Sequence, residues 1–248
     1  MEPIEQVAVV IPVHNEEQHL DRALAGVRAA ANLLQGRQPG TGVRILVVLD
    51  SCTDNSAALV ARFAAADGRF TVLEVSYRCV GQSRRAGIRT LLGGGSSGDL
   101  QGTAARLWLA NTDADSCVPA NWLLRQVVLA DAGADAVLGT VEPDPHGTDP
   151  ELLRRWRARH SSEEDHPHVY GANFGVRASA YVLAGGFPRQ RSHEDRTLVE
   201  RLRRRGFAVT STDGIRVLTS GRTQARAPQG FGAYLLALGR EPAVALDG

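Results

Sequence analysis

Leu107-Trp-Leu-Ala-Asn-Thr-Asp-Ala-Asp115 is the stretch from which the fold can be read. Leu107 to Asn111 is short and apolar, as expected of a strand buried on both faces. It runs directly into Asp113 and Asp115, two carboxylates one residue apart on the turn at the strand's C-terminal end. Ligands of open α/β sheets bind outside that end. Acids at i and i+2 can aim at one hard cation that takes oxygen ligands, and such a cation would hold a diphosphate. Asp is equally common in capped turns, so the pair by itself leaves both readings open.

The same grammar recurs upstream. Val7-Ala-Val-Val-Ile11 reads as a buried strand ending at Pro12-Val-His-Asn-Glu-Glu17. Asn15 can cap the next helix, and Glu16 and Glu17 suit its positive end. Leu20, Leu24, Val27, Ala31 and Leu34 give that helix its period, and Gln35 to Gly42 reads as a loop. Ile45 to Leu49 is a second strand, ending at Asp50-Ser-Cys-Thr-Asp-Asn-Ser56, with Leu59, Val60 and Phe63 lining the helix after it. Phe70 to Val75 is a third strand, and Gly81 to Gly87 opens another helix. Gly93 to Gly102 reads as a Gly/Ser surface loop. A helix starts at Pro119, and Ala134 to Val141 is a further strand. Alternating strands and helices predict a mostly parallel sheet with helices on both faces.

The pattern changes after Glu142. Pro143 to Pro150 is a turn-rich break and Glu151 to Arg159 a short basic helix, read as solvent-facing or as a lid over donor phosphates. Ala172 to Arg177 is expected as a strand, Ala178 to Ala184 as a helix, and Ser192 to Asp195 as the head of a helix through Arg205. Phe207 to Ser211 and Ile215 to Leu218 are expected as two closing strands. Phe231 to Leu238 reads as a helix packed on the body. It lacks the basic face of an interfacial helix, so membrane contact is open but not indicated.

Composition narrows the chemistry. The 248 residues suffice for one large domain, read here as 1–248 with a nucleotide-binding half at 1–115 and an acceptor-side half at 116–248. A net charge of +1 and no basic run interleaved with aromatics argue against a nucleic-acid partner. All 28 basic residues are Arg, which excludes Schiff-base chemistry and a Walker-type loop. Cys52, Cys79 and Cys117 lack CxxC spacing and suggest reduced thiols, hence a cytoplasmic location. There is no signal-peptide pattern and no run of membrane-spanning length.

Asp50, Asp113, Asp115 and the Pro12–Glu16 loop all leave buried strands at one sheet edge, so they should converge. That arrangement suits a nucleotide whose diphosphate is bridged by a metal. Asp50 can accept from a base N–H or ribose hydroxyls, Asp115 can bind the metal, and Arg85 either neutralises phosphate or belongs to a solvated helix face. Asn173 either holds a substrate hydroxyl or satisfies backbone groups. Glu194 and Asp195 at a helix head also fit plain dipole complementarity.

Taken together, Val10-Ile-Pro-Val-His-Asn-Glu-Glu17, Asp50 to Ser56, Gly81 to Gly87, Thr112-Asp-Ala-Asp115, Gly171 to Arg177, Gly185-Gly-Phe187 and His193-Glu-Asp195 resemble, in order and spacing, a family 2 glycosyltransferase of the GT-A fold. The likeness covers roughly residues 5 to 222. It implies a Rossmann-like, mostly parallel sheet with a smaller mixed acceptor-side region. It also implies a nucleotide-diphosphate sugar donor, a divalent metal (Mg²⁺ or Mn²⁺) and inverting transfer to an acceptor hydroxyl on a small molecule or lipid-linked group. Donor contacts fall on Pro12, Val13, His14, Asn15, Glu16, Asp50, Arg85, Asp113 and Asn173, the metal on Asp115, and the base on Asp195, with Glu194 orienting it or binding acceptor. The chain departs from the family's polymerases, which carry Gln-x-x-Arg-Trp and long membrane segments. The late metal-binding His of some GT-A enzymes is also missing, since the last His is His193. Two rival functions are a nucleotidyltransferase, although the Gly-rich N-terminal phosphate loop is not found, and a non-catalytic nucleotide-sugar-binding protein.

Overall fold

The computed structural model describes residues 2–93, 100–160, 163–190, 193–224 and 230–241. In chain order its elements are β1 Gln6–Val13, α1 Leu20–Arg37, β2 Gly42–Asp50, α2 Ser56–Ala66, β3 Phe70–Val75, α3 Val80–Leu92, α4 Leu100–Ala105, β4 Leu107–Asn111, β5 Ser116–Cys117, α5 Trp122–Asp131, β6 Ala136–Pro143, α6 Pro150–Arg159, a 3₁₀ turn at Gly171–Asn173, β7 Phe174–Arg177, α7 Ala178–Leu183, α8 Glu194–Arg204, β8 Val209–Thr219 and α9 Phe231–Arg240.

The strands form one sheet in the order β3-β2-β1-β4-β7-β6-β8-β5. β1, β2, β3 and β4 run parallel; β7 is antiparallel to both β4 and β6, and β6 is parallel to β8. Two reversals restore the direction, so β6 and β8 point the same way as β1 to β4. Their C-terminal ends therefore lie along one edge.

The buried strands split by period 2. Val7, Val9, Ile11, Ile45, Val47, Trp108 and Ala110 face α1, α2 and α5. Ala8, Val10, Leu46, Val48, Leu107 and Leu109 face α3, α7 and α8. A doubly covered sheet needs both faces apolar, which is why these strands read as continuous runs rather than alternation. At Gly87 a Cβ would stand 2.8 Å from Val48 and 3.0 Å from Val10, so glycine lets α3 lie close against β1 and β2. Helix α9 packs on α6 through Leu235, Leu238, Leu152 and Trp156. No described helix is long and apolar enough to cross a membrane.

Four expectations require correction. Asn15 does not cap α1, whose N-cap is His19; Asn15 turns away at φ 53° and accepts from the Thr53 N–H at 2.7 Å. The two closing strands are one, β8, whose pairing with β6 shifts register between Gly139 and Val141. Residues 171–173 form a 3₁₀ turn, so β7 starts at Phe174 rather than Ala172. The expected loop ends early, because α4 starts at Leu100; its residues 94–99 lie outside the described residues. The short β5 had no sequence signal beyond the acids before it.

Candidate active site

The loops after β1, β2 and β4 meet at the sheet edge and are joined by side chains. After β1, His14 Nδ1 contacts the Asp50 carbonyl at 2.6 Å, Glu16 N–H donates to Ser56 Oγ, and Glu17 N–H donates to Asp54. Pro12 and Val13 are still paired within β1, opposite Val48 and Leu49. Of the five described non-glycine residues with positive φ, Asn15, Ser51, Arg78 and His193 lie in loops that frame this region. Such backbone costs about 1–3 kcal/mol per residue and clusters where geometry is over-determined.

Asp50 is buried, and its carboxylate is saturated by the chain itself. Oδ1 accepts from the N–H groups of Tyr77 and Arg78, each at 2.8 Å. Oδ2 accepts from Cys79 N–H at 3.0 Å and Ser83 Oγ at 2.8 Å. Burial pushes its pKa up, yet these donors outweigh burial and hold it below the ordinary value. An ionised carboxylate offers about four acceptor positions, so Asp50 is the organiser of the loop leading into α3.

Two arginines, one buried and one partly exposed, tie the remaining acids together. Arg84, 2% exposed, donates to Asp113 and, at 2.5 Å, to Glu194. Burial works against its charge, but Asp113, Glu194 and Asp195 raise its pKa above the ordinary value. A Cβ at Gly171 would lie 2.4 Å from Arg84 Nη1, so glycine there leaves the guanidinium its place. Arg222, after β8, forks onto Glu16 at 2.8 and 2.7 Å and stands 2.8 Å from Asp115 Oδ2. Asp115 is raised to about 6 by burial, then by Asp113 and Glu16, against the pull of Arg222. Glu194 is buried and raised, by burial first and by Asp195 after it, although Arg84 opposes this. Asp195 is half-buried beside it, its carboxylate accepting from the Arg196 N–H. A cavity of about 220 Å³ opens beside Asp115 and Arg222, with His19, Arg22 and Cys117 on its wall.

The structure thus brings together Glu16, Asp113, Asp115, Glu194 and Asp195, with His14 and Asn15 in the adjoining loop. It does not bring in Asn173, and that expectation is corrected. Asn173 is fully buried, donating to the carbonyls of Thr140 and Ile215 and accepting from Trp122 Nε1, so it satisfies the interior. Arg85 turns to the carbonyls of Gly185 and Phe187, at 3.3 and 2.7 Å. Its neighbour Arg84 faces inward instead. Helical spacing carried that signal, since Arg84 precedes the buried Ile88 by four residues. Arg222 had none, because it lies in a loop whose position depends on the whole sheet.

Among the described residues, no group of three or more His, Cys, Asp or Glu side chains is arranged to hold a metal ion. A cation shared with a diphosphate needs fewer protein ligands, commonly one or two carboxylates. Asp115 suits that role: an oxygen donor, 15% exposed, with Asp113 and Glu16 adding negative charge around it.

Comparison with known proteins agrees with this geometry. The family model described as glycosyl transferase family 2 matches residues 8–183, and the chain belongs to that family. An undecaprenyl-phosphate 4-deoxy-4-formamido-L-arabinose transferase of Enterobacter sp. (strain 638) is 33% identical over 150 residues, 60% of this chain and 40% of the relative. The chain therefore spans well under half the length of that relative. In structure it is similar to a mannosyltransferase from Pyrobaculum calidifontis solved with GDP-Man and Mn²⁺, at TM-score 0.62 and 18% identity over 89% of this chain and 58% of the other. It is also similar to glucosyl-3-phosphoglycerate synthase from Mycobacterium tuberculosis solved with Mn²⁺, uridine diphosphate and phosphoglyceric acid, at TM-score 0.54 and 16% identity over 96% and 80%. These likenesses place the sheet in the GT-A fold.

Proposed function

We propose that this chain transfers a sugar from a nucleotide-diphosphate sugar to an acceptor oxygen, with inversion and with a divalent cation. The observation that carries this reading is the gathering at one sheet edge of Asp113 and Asp115 with Glu194 and Asp195, bridged through buried Arg84. It combines a phosphate-and-cation side with an acceptor side in one connected unit.

On the donor side, the loop from Pro12 to Glu16 and the Asp50-held segment at Tyr77–Cys79 frame the nucleoside. Asp113 stands beside them, and Arg85, from α3, is the candidate for an outer phosphate contact. Asp115 would hold the cation, Mg²⁺ or Mn²⁺, which when bound would supply positive charge against that developing on the leaving diphosphate. The solved Mn²⁺ complexes among the structural neighbours support that choice of ion.

On the acceptor side, attack on the anomeric carbon comes from the face opposite the leaving group. The base must therefore be separate from Asp113 and Asp115. Asp195 is partly exposed and lies in the first turn of α8. It takes the proton from the acceptor hydroxyl while Glu194, locked to Arg84, fixes the head of the helix. Asp195→Asn should leave donor affinity intact and lower kcat by about 10²- to 10⁴-fold. If Asp195→Asn turns over like wild type, Asp195 is not the base.

The acceptor is a hydroxyl of a small molecule or of a lipid-linked group. The Enterobacter relative is named for an undecaprenyl-phosphate acceptor, which makes a lipid phosphate the second reading. A phosphate oxygen is already ionised at neutral pH and needs no base. Dependence of turnover on Asp195 therefore separates the two acceptor types.

A further inference from the structure

Arg222 stands between the two acids that the donor reading places nearest the phosphates. Its guanidinium makes two short contacts to Glu16, at 2.8 and 2.7 Å, and a single one to Asp115 Oδ2, at 2.8 Å. A guanidinium stays charged at any pH the protein meets. Beside Asp113 and Glu16, a buried Asp115 without a cation would be an uncompensated charge, which is strongly destabilising. Arg222 supplies that compensation in the free chain.

A divalent cation on Asp115 would draw on Oδ2, the oxygen that now faces Arg222. Two cations that close to one carboxylate repel each other strongly where water is scarce. They therefore compete for Asp115. The contacts favour one outcome: Nη1 keeps its bond to Glu16, while Nη2, shared between Glu16 and Asp115, gives up Asp115. The cavity of about 220 Å³ lined by Arg222, Asp115, Ser220 and Gly221 gives the side chain room to move.

We propose that Arg222 is an exchangeable counter-ion: it neutralises Asp115 while the donor is absent, and cedes Asp115 to the divalent cation that arrives with the diphosphate. This rests on the assignment of Asp115 to the cation. It predicts that the free protein binds divalent cations weakly, and that cation and nucleoside diphosphate bind together rather than in sequence.

The test is Mn²⁺ binding to the free 248-residue chain at pH 8, followed by electron paramagnetic resonance without any nucleotide. Arg222→Gln should bind Mn²⁺ at least about tenfold more tightly than wild type, because one opposing charge has gone. Arg222→Lys keeps the charge and should remain near wild type. Asp115→Asn in the Arg222→Gln background should remove the gain. Equal affinities for wild type and Arg222→Gln, binding by neither, or a gain that survives Asp115→Asn overturns the proposal. Should Arg222→Gln fail to fold, the Arg222 Nε–H resonance of the wild type, assigned through Arg222→Lys, is followed instead. It should shift when Mg²⁺ and UDP or GDP are added together and not with Mg²⁺ alone; no shift with both overturns the proposal. The underlying assignment is tested separately by Mn²⁺ binding in the presence of UDP or GDP. If Asp115→Asn leaves that intact, the assignment of Asp115 fails regardless of Arg222.

Discussion

Burial and the nearby Asp113 hold Asp115 at about 6 against 3.8 for the free side chain, even with Arg222 in contact. Between those values the native chain binds more protons than the unfolded one, so stability falls as pH rises through that window. Above it, ionised Asp115 costs about 3 kcal/mol. At neutral pH Asp115 is thus ionised at a cost in stability. Asp115→Asn should therefore stabilise the free protein by about 1–3 kcal/mol at pH 7.5, with the gain vanishing below about pH 4. Urea unfolding at both pH values checks this, and a variant less stable than wild type at pH 7.5 contradicts it. Asp50 has the opposite sign. Its pKa is lowered, so it contributes stability at neutral pH that disappears as pH falls through its folded value. Asp50→Ala orphans three backbone N–H groups, whereas the Ser83 hydroxyl keeps the Cys79 carbonyl as an acceptor, and should cost about 2–4 kcal/mol. It should also weaken binding of the nucleoside diphosphate, because the Tyr77–Cys79 loop loses its anchor. Calorimetry showing weaker binding with unchanged stability would instead make Asp50 a direct contact. Both acids were legible in the sequence as residues at strand ends. Their partners were not, because Tyr77 to Ser83 and Arg222 reach them only through the folded sheet.

The inner strands were readable because a doubly buried parallel strand must be apolar throughout, and Leu107–Asn111 falls where the residues placed it. The edge strand Phe70–Val75 also falls where expected, although it exposes Thr71, Val72 and Glu74. The later elements were harder. β7 is four residues long and reverses direction between β4 and β6, and no local pattern encodes which neighbour a short apolar strand will choose. β8 carries Asp213 and Gly214 in its middle, which look like a turn in sequence. In the sheet they sit at the register shift, with Asp213 accepting from Thr140 Oγ1 and paired to Arg216. Asn173 is the clasp of this half, joining β6, β8 and α5 through Thr140, Ile215 and Trp122. Asn173→Ala should lower the unfolding free energy by about 2–4 kcal/mol by leaving those groups unpaired, while the folded variant keeps the KM of wild type for donor. A raised KM with unchanged stability would return Asn173 to the substrate.

Net charge over the whole chain is close to balance at +1, yet five acids face two arginines at the sheet edge. That local excess of negative charge would repel a phosphorylated donor unless a cation accompanied it. The alternation of strands and helices made the mostly parallel sheet legible from sequence, the ordered motifs carried the resemblance to the GT-A fold, and the acids at the strand ends pointed to the candidate site. What stayed hidden was the pair of arginines that hold these acids, since charge counting treats an inward Arg84 and an outward Arg85 alike. The chemistry is tested most directly by supplying UDP-, GDP- and TDP-sugars with Mn²⁺ and measuring nucleoside diphosphate released, with and without chelator. The account predicts release from one donor class, lost with chelator, restored by Mn²⁺, and absent in Asp115→Asn. No release from any donor, together with pyrophosphate formed from a nucleoside triphosphate and a sugar phosphate, would contradict it and make the chain a nucleotidyltransferase.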